Sequence, residues 1–159
     1  MNVKPMAVFR IENANREGPY SVGTELDYSW DLHPHLEDEG FDYTECEYFG
    51  FPSVTALETW FYGDLLRQLL ERGGFGIAIY SVPSDQCIVS PTQLAFCEDE
   101  AEKRGWLSLE DAYDSTGEQK VGALADFVER LTAGLEIVHF AHELVAGRKA
   151  IHDLYDAFV

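Results

Sequence analysis

The chain has 159 residues, and its 29 acidic residues outnumber its 11 Lys and Arg residues, which gives a formal net charge of -18. Such a field repels nucleic acid and anionic membranes and favours contact with basic surfaces on other molecules. The hydrophobic content of 46% supplies a core and excludes a disordered chain. We expect a single domain over residues 1–159, which is a common domain size.

The cysteines and the apolar segments indicate a cytoplasmic protein. Cys46, Cys87 and Cys97 are odd in number and form no C-x-x-C pair, which argues against a disulfide framework and against a zinc knuckle. The N-terminal residues lack the apolar core of a signal peptide, and no stretch approaches the roughly 18 apolar residues of a membrane span.

The first part of the chain predicts a strand and a long acidic loop. Residues 6–12 combine β-branched and aromatic residues and run into turn-forming Asn, Gly and Pro, as a strand does. Between Arg16 and Arg67 there are twelve acids and no Lys or Arg. Aromatic residues alternate with these carboxylates over residues 20–48, so we expect an ordered loop anchored to the core.

A helix and several strands are predicted next. Thr55 and Glu58 match a capping box, and apolar residues at helical spacing predict a helix over 55–72 that Gly63 weakens or breaks. The glycines that follow, at 73–76, are interpreted as its C-cap. Residues 75–82 give the clearest strand, with shorter strands expected over 86–90 and 94–97.

The rest of the sequence, from residue 98, predicts a connecting segment followed by a helical layer. Residues 98–118 are interpreted as a second acidic stretch that includes a turn at 114–117. Apolar residues recur at intervals of three and four from Glu118 to Phe158, which predicts two or three helices punctuated by Gly134 and Gly147. The expected fold is α+β: a small, mainly antiparallel sheet in a mixed part over residues 1–97, with a helical C-terminal layer over 118–159.

Two groups of histidines and acids have the ligand types of a metal site without its spacing. The first comprises Asp31, His33, His35, Glu37 and Asp38, and the second comprises Glu136, His139, His142 and Glu143. A solvated acidic loop and the polar flank of an amphipathic helix explain them more simply, so we expect no metal and no cofactor. Glu45 and Glu47 flank Cys46 and would suppress its thiolate.

Arg10 offers one catalytic alternative. Its place in the first strand resembles that of the strand-borne Arg or His that grips nicotinamide dinucleotide in ADP-ribosyltransferases, and the resemblance would make Tyr20 and a later acid its companions. The Ser-Thr-Ser and paired Glu motifs of that family are not found in the sequence. An Arg10 paired with Glu12 or with a loop acid is the simpler interpretation.

Three strings resemble a group of small uncharacterised proteins of phages and prophages. They are F-R-I-E-N with G-P-Y over residues 9–20, F-G-F-P-S with W-F over 49–61, and G-F-G-I-A-I-Y-S-V over 74–82. The resemblance covers about the first half of the chain. It implies a shared fold, an origin in a mobile element and a location in the host bacterial cytoplasm, and it transfers no active site.

Acidic phage proteins of this size resemble anti-CRISPR and other anti-defence inhibitors that occupy basic nucleic-acid channels. We therefore expect a binding protein rather than an enzyme, whose partner is a host protein or ribonucleoprotein complex with a basic surface. Direct binding to nucleic acid or membrane is not expected. The partner-binding residues predicted in the acidic loop are Glu25, Asp27, Asp31, Glu37, Asp38, Glu39, Asp42, Tyr43, Glu45 and Glu47.

Three alternatives stay open at the level of sequence. An immunity protein or antitoxin against a basic nuclease would use the same acidic surface for a different partner. An ADP-ribosyltransferase-like enzyme would use Arg10 and Tyr20 to modify a host factor. A phage accessory protein without a defence role would have the same composition. The apolar C-terminal end at Tyr155, Phe158 and Val159 would suit a homodimer.

Overall fold

The computed structural model describes residues 4–19, 48–89 and 93–138 of the chain. Within these ranges two three-stranded antiparallel sheets and four α-helices form a small α+β fold, which confirms the predicted class. The predicted acidic loop over 20–48, apart from Tyr48, lies outside the described residues. So do Cys46 and the C-terminal end proposed for a homodimer.

The first sheet has the strand order β1-β3-β6. Strand β1 is Pro5–Asn13 and pairs along its full length with β3, Phe75–Pro83, so the two strands predicted over 6–12 and 75–82 are confirmed. Residues 6–12 are all buried, because both faces of the sheet are covered. This explains why most residues of β1 are apolar and do not alternate strictly with polar ones.

Strand β6, Glu102–Ser108, pairs with β3 on the other side and was not predicted from the sequence. Its first three residues are charged and look like part of a solvated connection. Its alternation of exposed and half-buried positions is nevertheless the pattern of an edge strand. The register with β3 shifts between Ile79 and Tyr80, which is a bulge of the kind common at sheet edges.

The second sheet consists of short strands in the order β2-β5-β4. They are β2, Tyr48–Gly50; β4, Cys87–Val89; and β5, Leu94–Phe96. The last two confirm the short strands predicted over 86–90 and 94–97. A hydrogen-bonded bridge between Phe9 and Phe51 joins the first sheet to the residue that follows β2.

The helix predicted over 55–72 is two helices, α1 at Val54–Trp60 and α2 at Asp64–Arg72. The break falls at residues 61–63, where Gly63 has a φ of 56°, as its conformational freedom allows. Gly73 ends α2 with a φ of 72°, which confirms the predicted glycine C-cap.

The predicted capping box at Thr55 and Glu58 is wrong. The N-cap is Ser53, whose hydroxyl accepts a hydrogen bond from the Ala56 amide at 3.1 Å. Ser53 has the extended backbone of an N-cap, whereas Thr55 already lies inside α1. The Glu58 carboxylate instead accepts a hydrogen bond from the Tyr113 hydroxyl.

Two further helices follow β6: α3 at Leu109–Ala112 and α4 at Ala123–Leu131. The second confirms the predicted helical layer for the part that is described, and it stops shortly before Gly134, as expected. Beyond it Glu136 is extended: its amide donates to the Pro5 carbonyl at 3.0 Å and its carbonyl accepts from the Ala7 amide at 2.9 Å. The prediction of a helix through Glu136 is wrong, because this backbone pairs with the edge of β1. His139, His142 and Glu143 lie outside the described residues.

The first sheet separates two apolar clusters. Phe9, Ile11, Ile77 and Ile79 face the helices, while Met6, Val8, Tyr80 and Val82 face the second sheet with Leu94 and Phe96. No helix in the described ranges is long and apolar enough to cross a membrane.

Candidate functional site

Charged side chains lie on the face of the first sheet that meets the second sheet. Alternate residues of a strand point to the same face, so Arg10 and Glu12 of β1 stand together. Tyr80 of β3 pairs with Val8 and Lys103 of β6 pairs with Tyr80, and both side chains reach along this face to Glu12. Arg10 is 7% exposed and Glu12 is 0% exposed. We call these four residues the strand-face cluster.

Glu12 is the centre of this cluster. The Tyr80 hydroxyl donates to Oε1 at 2.5 Å, Lys103 Nζ donates to Oε2 at 2.8 Å, and Arg10 Nε lies 3.3 Å from Oε1. A buried carboxylate needs such partners, because charge is costly in a medium of low polarity. Burial and the hydrogen bond to Glu12 raise the pKa of Tyr80 far above its usual range, so Tyr80 stays a neutral donor.

The Arg10 guanidinium has contacts on its other side as well. Nη1 donates to the Phe49 carbonyl at 3.0 Å, and Nη2 donates to the Arg16 carbonyl at 3.3 Å. Its central carbon lies 4.3 Å from the centre of the Tyr48 ring, within the range of a cation–π interaction. Burial lowers the pKa of Arg10 and the charge of Glu12 opposes that shift. These contacts favour a structural role for Arg10 over the alternative of gripping a cofactor.

The same place joins the two acidic parts of the sequence. Arg16 forms an ion pair with Glu98. Burial and the neighbouring Glu98 carboxylate raise the pKa of Tyr48. Glu98 begins a short 3-10 helix, Glu98–Glu100, whose Asp99 and Glu100 are exposed. Arg16 before the segment 20–47 and Tyr48 after it therefore both lie near the acids that begin at Glu98.

A second polar network ties the helices together. The Glu58 carboxylate accepts hydrogen bonds from the Tyr113 hydroxyl and from the Gln119 side-chain amide, both at 2.8 Å. Burial and Glu58 raise the pKa of Tyr113 well above its usual range. Asp114 closes the intervening turn by accepting from the amides of Thr116 and Glu118. The turn predicted at 114–117 is therefore present, and this network has the character of a structural brace.

Part of the sequence-based site lies outside the described residues. This applies to Tyr20, to the histidines His33 and His35, and to all ten residues predicted to bind a partner. Arg10 pairs with Glu12, as the simpler interpretation of Arg10 stated. No group of three or more His, Cys, Asp or Glu residues that could hold a metal occurs in the described ranges. Cys87 is buried, and its thiol donates to the Pro83 carbonyl at 3.9 Å.

Sequence reasoning missed Tyr48, Tyr80 and Lys103 as partners of Arg10 and Glu12. The available signal was the alternation of Arg10 and Glu12 within an otherwise apolar strand, since buried charges require partners from neighbouring strands. Strand pairing decides which residues become the partners. For Glu12 they are Tyr80 and Lys103, which lie 68 and 91 positions away in the sequence.

A sheet that buries an Arg–Glu–Tyr–Lys cluster, in a chain with a net charge of -18, defines a small, strongly acidic α+β protein. A profile of the family described as Bacteriophage T4 Y00F protein matches residues 6–110, so the chain belongs to this phage protein family. The match confirms the resemblance to phage proteins, and its span contains the whole strand-face cluster. No curated protein and no solved structure matches the chain.

Proposed function

We propose that this phage protein is an acidic anti-defence protein of the anti-CRISPR kind, which binds the basic nucleic-acid-binding surface of a host protein or ribonucleoprotein complex. The observation that carries the proposal is the charge pattern. Twelve acids and no Lys or Arg lie between Arg16 and Arg67. Carboxylates arranged along a path compete with the phosphates of nucleic acid, which are spaced about 1.7 Å apart along a duplex axis.

The residues that flank the acidic segment support this proposal. Arg16, before the segment 20–47, pairs with Glu98, and Glu98 also raises the pKa of Tyr48, which follows the segment. Exposed Asp99 and Glu100 follow directly, and Glu102 is also exposed. A partner that contacts the segment 20–47 near its base would therefore meet additional carboxylates from residues 98–102. Tyr43 within the segment would supply an aromatic anchor of the kind that dominates binding energy.

The first experiment captures the partner. Tagged protein is incubated with host lysate at about 0.1 M and about 0.5 M salt, and bound proteins are identified by mass spectrometry, because charge-led contacts are screened over this range. Recovery of a nucleic-acid-binding host complex that is lost at high salt supports the proposal. Recovery of a nuclease toxin would favour the immunity-protein alternative, and a partner retained equally at both salt concentrations would contradict a charge-led interface.

Charge reversal then locates the surface on the protein. Replacing Glu37, Asp38 and Glu39 by Lys should weaken binding by more than about tenfold, because like charges then face each other in the complex. The matched control reverses three exposed acids of the helical part, Glu71, Glu118 and Glu129, and changes the net charge by the same amount. Equal loss of affinity in both triple variants would indicate a general effect of net charge and would count against a defined acidic surface.

A further inference from the structure

Arg10 contacts the chain on both sides of the acidic segment. Residues 16–19 precede the segment 20–47 and residues 48–50 follow it, and we call these two stretches the bracket segments. Nη2 of Arg10 donates to the carbonyl of Arg16 in the first bracket, and Nη1 donates to the carbonyl of Phe49 in the second. One guanidinium thus joins two backbones that are 33 residues apart by their numbers, 16 and 49.

The Arg10 guanidinium also packs closely against both bracket segments. A Cβ atom on Gly18 of the first bracket would lie 3.2 Å from Nη2, which is tighter than ordinary contact, so the chain passes close against Arg10 there. The Tyr48 ring of the second bracket covers the guanidinium carbon at 4.3 Å. Outside Arg10, Glu98 forms an ion pair with Arg16 of the first bracket, and its charge raises the pKa of Tyr48 in the second.

Arg10 itself is fixed by the core. It stands on the buried strand β1, where Glu12 lies 3.3 Å from its Nε and is held in turn by Tyr80 and Lys103. Arginine suits this position because its planar group offers several donors in fixed directions, which a lysine ammonium on a flexible stem does not. The contacts to Glu12, to the first bracket and to the second bracket use different nitrogens of that group.

We propose that Arg10 is a positioning residue that clamps together the two bracket segments, which flank the acidic segment 20–47. Because that segment is joined to both brackets, the clamp fixes the distance between its two points of attachment. The consequence for partner binding rests on the proposed function, whereas the clamp is a property of the isolated protein and can be tested without a partner.

The test is amide hydrogen exchange of the free protein at peptide resolution. Arg10→Lys keeps the charge next to Glu12 but cannot reach both carbonyls, so exchange should accelerate by roughly tenfold or more in both bracket segments, as expected when hydrogen bonds from a charged group are lost. Exchange in α4, on the opposite side of the sheet, should change far less. Arg67→Lys is the matched control, because it makes the same replacement at an exposed arginine that pairs with Asp64 of its own helix.

Equal exchange in Arg10→Lys and wild type at residues 16–19 and 48–50 would overturn the clamp, and so would an equal rise in Arg67→Lys. If Arg10→Lys fails to fold, Tyr48→Leu decides the question, because it removes the ring over Arg10 and leaves the strand-face cluster complete. Acceleration at residues 16–19 on the far side of Arg10 supports the clamp, and acceleration confined to residues 48–50 overturns it.

Measuring the affinity for the partner distinguishes the proposed function from the Arg10 clamp. If the Glu37, Asp38 and Glu39 reversal leaves affinity unchanged, the proposed function fails and the exchange result still stands. If that reversal weakens binding, Arg10→Lys should weaken it as well by several-fold, although no acid has been altered. Unchanged affinity in Arg10→Lys with faster exchange would contradict the clamp's part in presenting the surface.

Discussion

Glu12 is the residue on which the ionic part of the core depends. It has no exposed surface, and its carboxylate lies between Arg10 and Lys103 while accepting the Tyr80 hydroxyl. Removal of one member of a buried, hydrogen-bonded charge group leaves the others uncompensated, which is more costly than replacing the whole group by apolar residues. Single substitutions in the strand-face cluster are therefore expected to be strongly destabilising.

We predict that Glu12→Ala lowers the free energy of unfolding by about 3–5 kcal/mol, measured by urea denaturation, because Arg10 and Lys103 lose their shared counter-ion. Glu102→Ala is the control: Glu102 pairs with Arg104 with 74% of its side chain exposed. Glu102→Ala should lower the free energy of unfolding by less than about 1 kcal/mol. Similar values for the two variants would show that the Glu12 cluster is not a buried ionic network.

Buried tyrosines predict a loss of stability in alkali. The pKa of Tyr80 and the pKa of Tyr113 are both raised by burial and by a carboxylate partner. Because the folded pKa lies above the unfolded one, their stabilising contribution is complete below the ordinary tyrosine pKa of 10.0 and is lost as the pH rises above that value.

In an alkaline titration these two phenols should ionise only as the protein unfolds, which is checked by following phenolate absorbance and circular dichroism together. Tyr113→Phe should remove one of the ionisations that accompany unfolding. Reversible ionisation of every tyrosine with an unchanged circular dichroism spectrum would contradict the burial of these two hydroxyls.

At the scale of elements, the edge strand β6 depends on a glycine in its neighbour. A Cβ atom on Gly76 of β3 would press against the Trp106 ring and would lie 2.5 Å from the Leu107 carbonyl oxygen. Trp106 lies across the strand at this point and donates its indole N–H to the Glu12 carbonyl at 3.0 Å. The absence of a side chain on Gly76 therefore allows β6 to approach and Trp106 to reach β1.

We predict that Gly76→Ala costs about 1–3 kcal/mol through overcrowding and displaces the Trp106 indole. The indole N–H resonance in NMR spectra should shift and exchange faster. Gly74→Ala is the matched control: its φ of 84° makes the change unfavourable by about 1–2 kcal/mol, yet a Cβ there meets nothing within 4 Å. An unchanged indole resonance in Gly76→Ala would refute this account of β6.

At the scale of the whole molecule, the excess of acids sets the response to salt. A net charge of -18 destabilises the compact state through self-repulsion, and salt screens that repulsion. Screening also weakens attraction to a basic partner. The two effects have opposite signs, so one change of ionic strength tests both.

We predict that the Tm of the free protein rises between about 0.01 M and 0.5 M salt, by roughly 2–4 °C for each kcal/mol of repulsion relieved. Differential scanning fluorimetry measures this. A variant with Glu37, Asp38 and Glu39 replaced by Gln, Asn and Gln should show a smaller rise. A Tm that falls with added salt would mean that attractive ion pairs outweigh repulsion in the folded protein.

Several elements could be predicted from the sequence because their signals are local. Strands β1 and β3 are dense in β-branched and aromatic residues, and Gly63 and Gly73 mark the ends of α2 through backbone conformations that other residues disfavour. The start of α1 shows the limit of local signals. Ser53 and Thr55 are both acceptable caps, and the choice of Ser53 is seen only in its extended backbone.

What the sequence determined by itself is the class of the molecule: an acidic α+β protein with an antiparallel sheet, since composition, periodicity and turn residues act over a few positions. The tertiary structure decided which distant residues meet. Pairing with β3 made a strand of the charged residues 102–104, and pairing with β1 drew Glu136 out of a helix. Hydrogen bonds to Arg16 and Phe49 placed Arg10 between the two bracket segments. These contacts depend on burial and hydrogen bonding between remote parts of the chain, which no local pattern encodes.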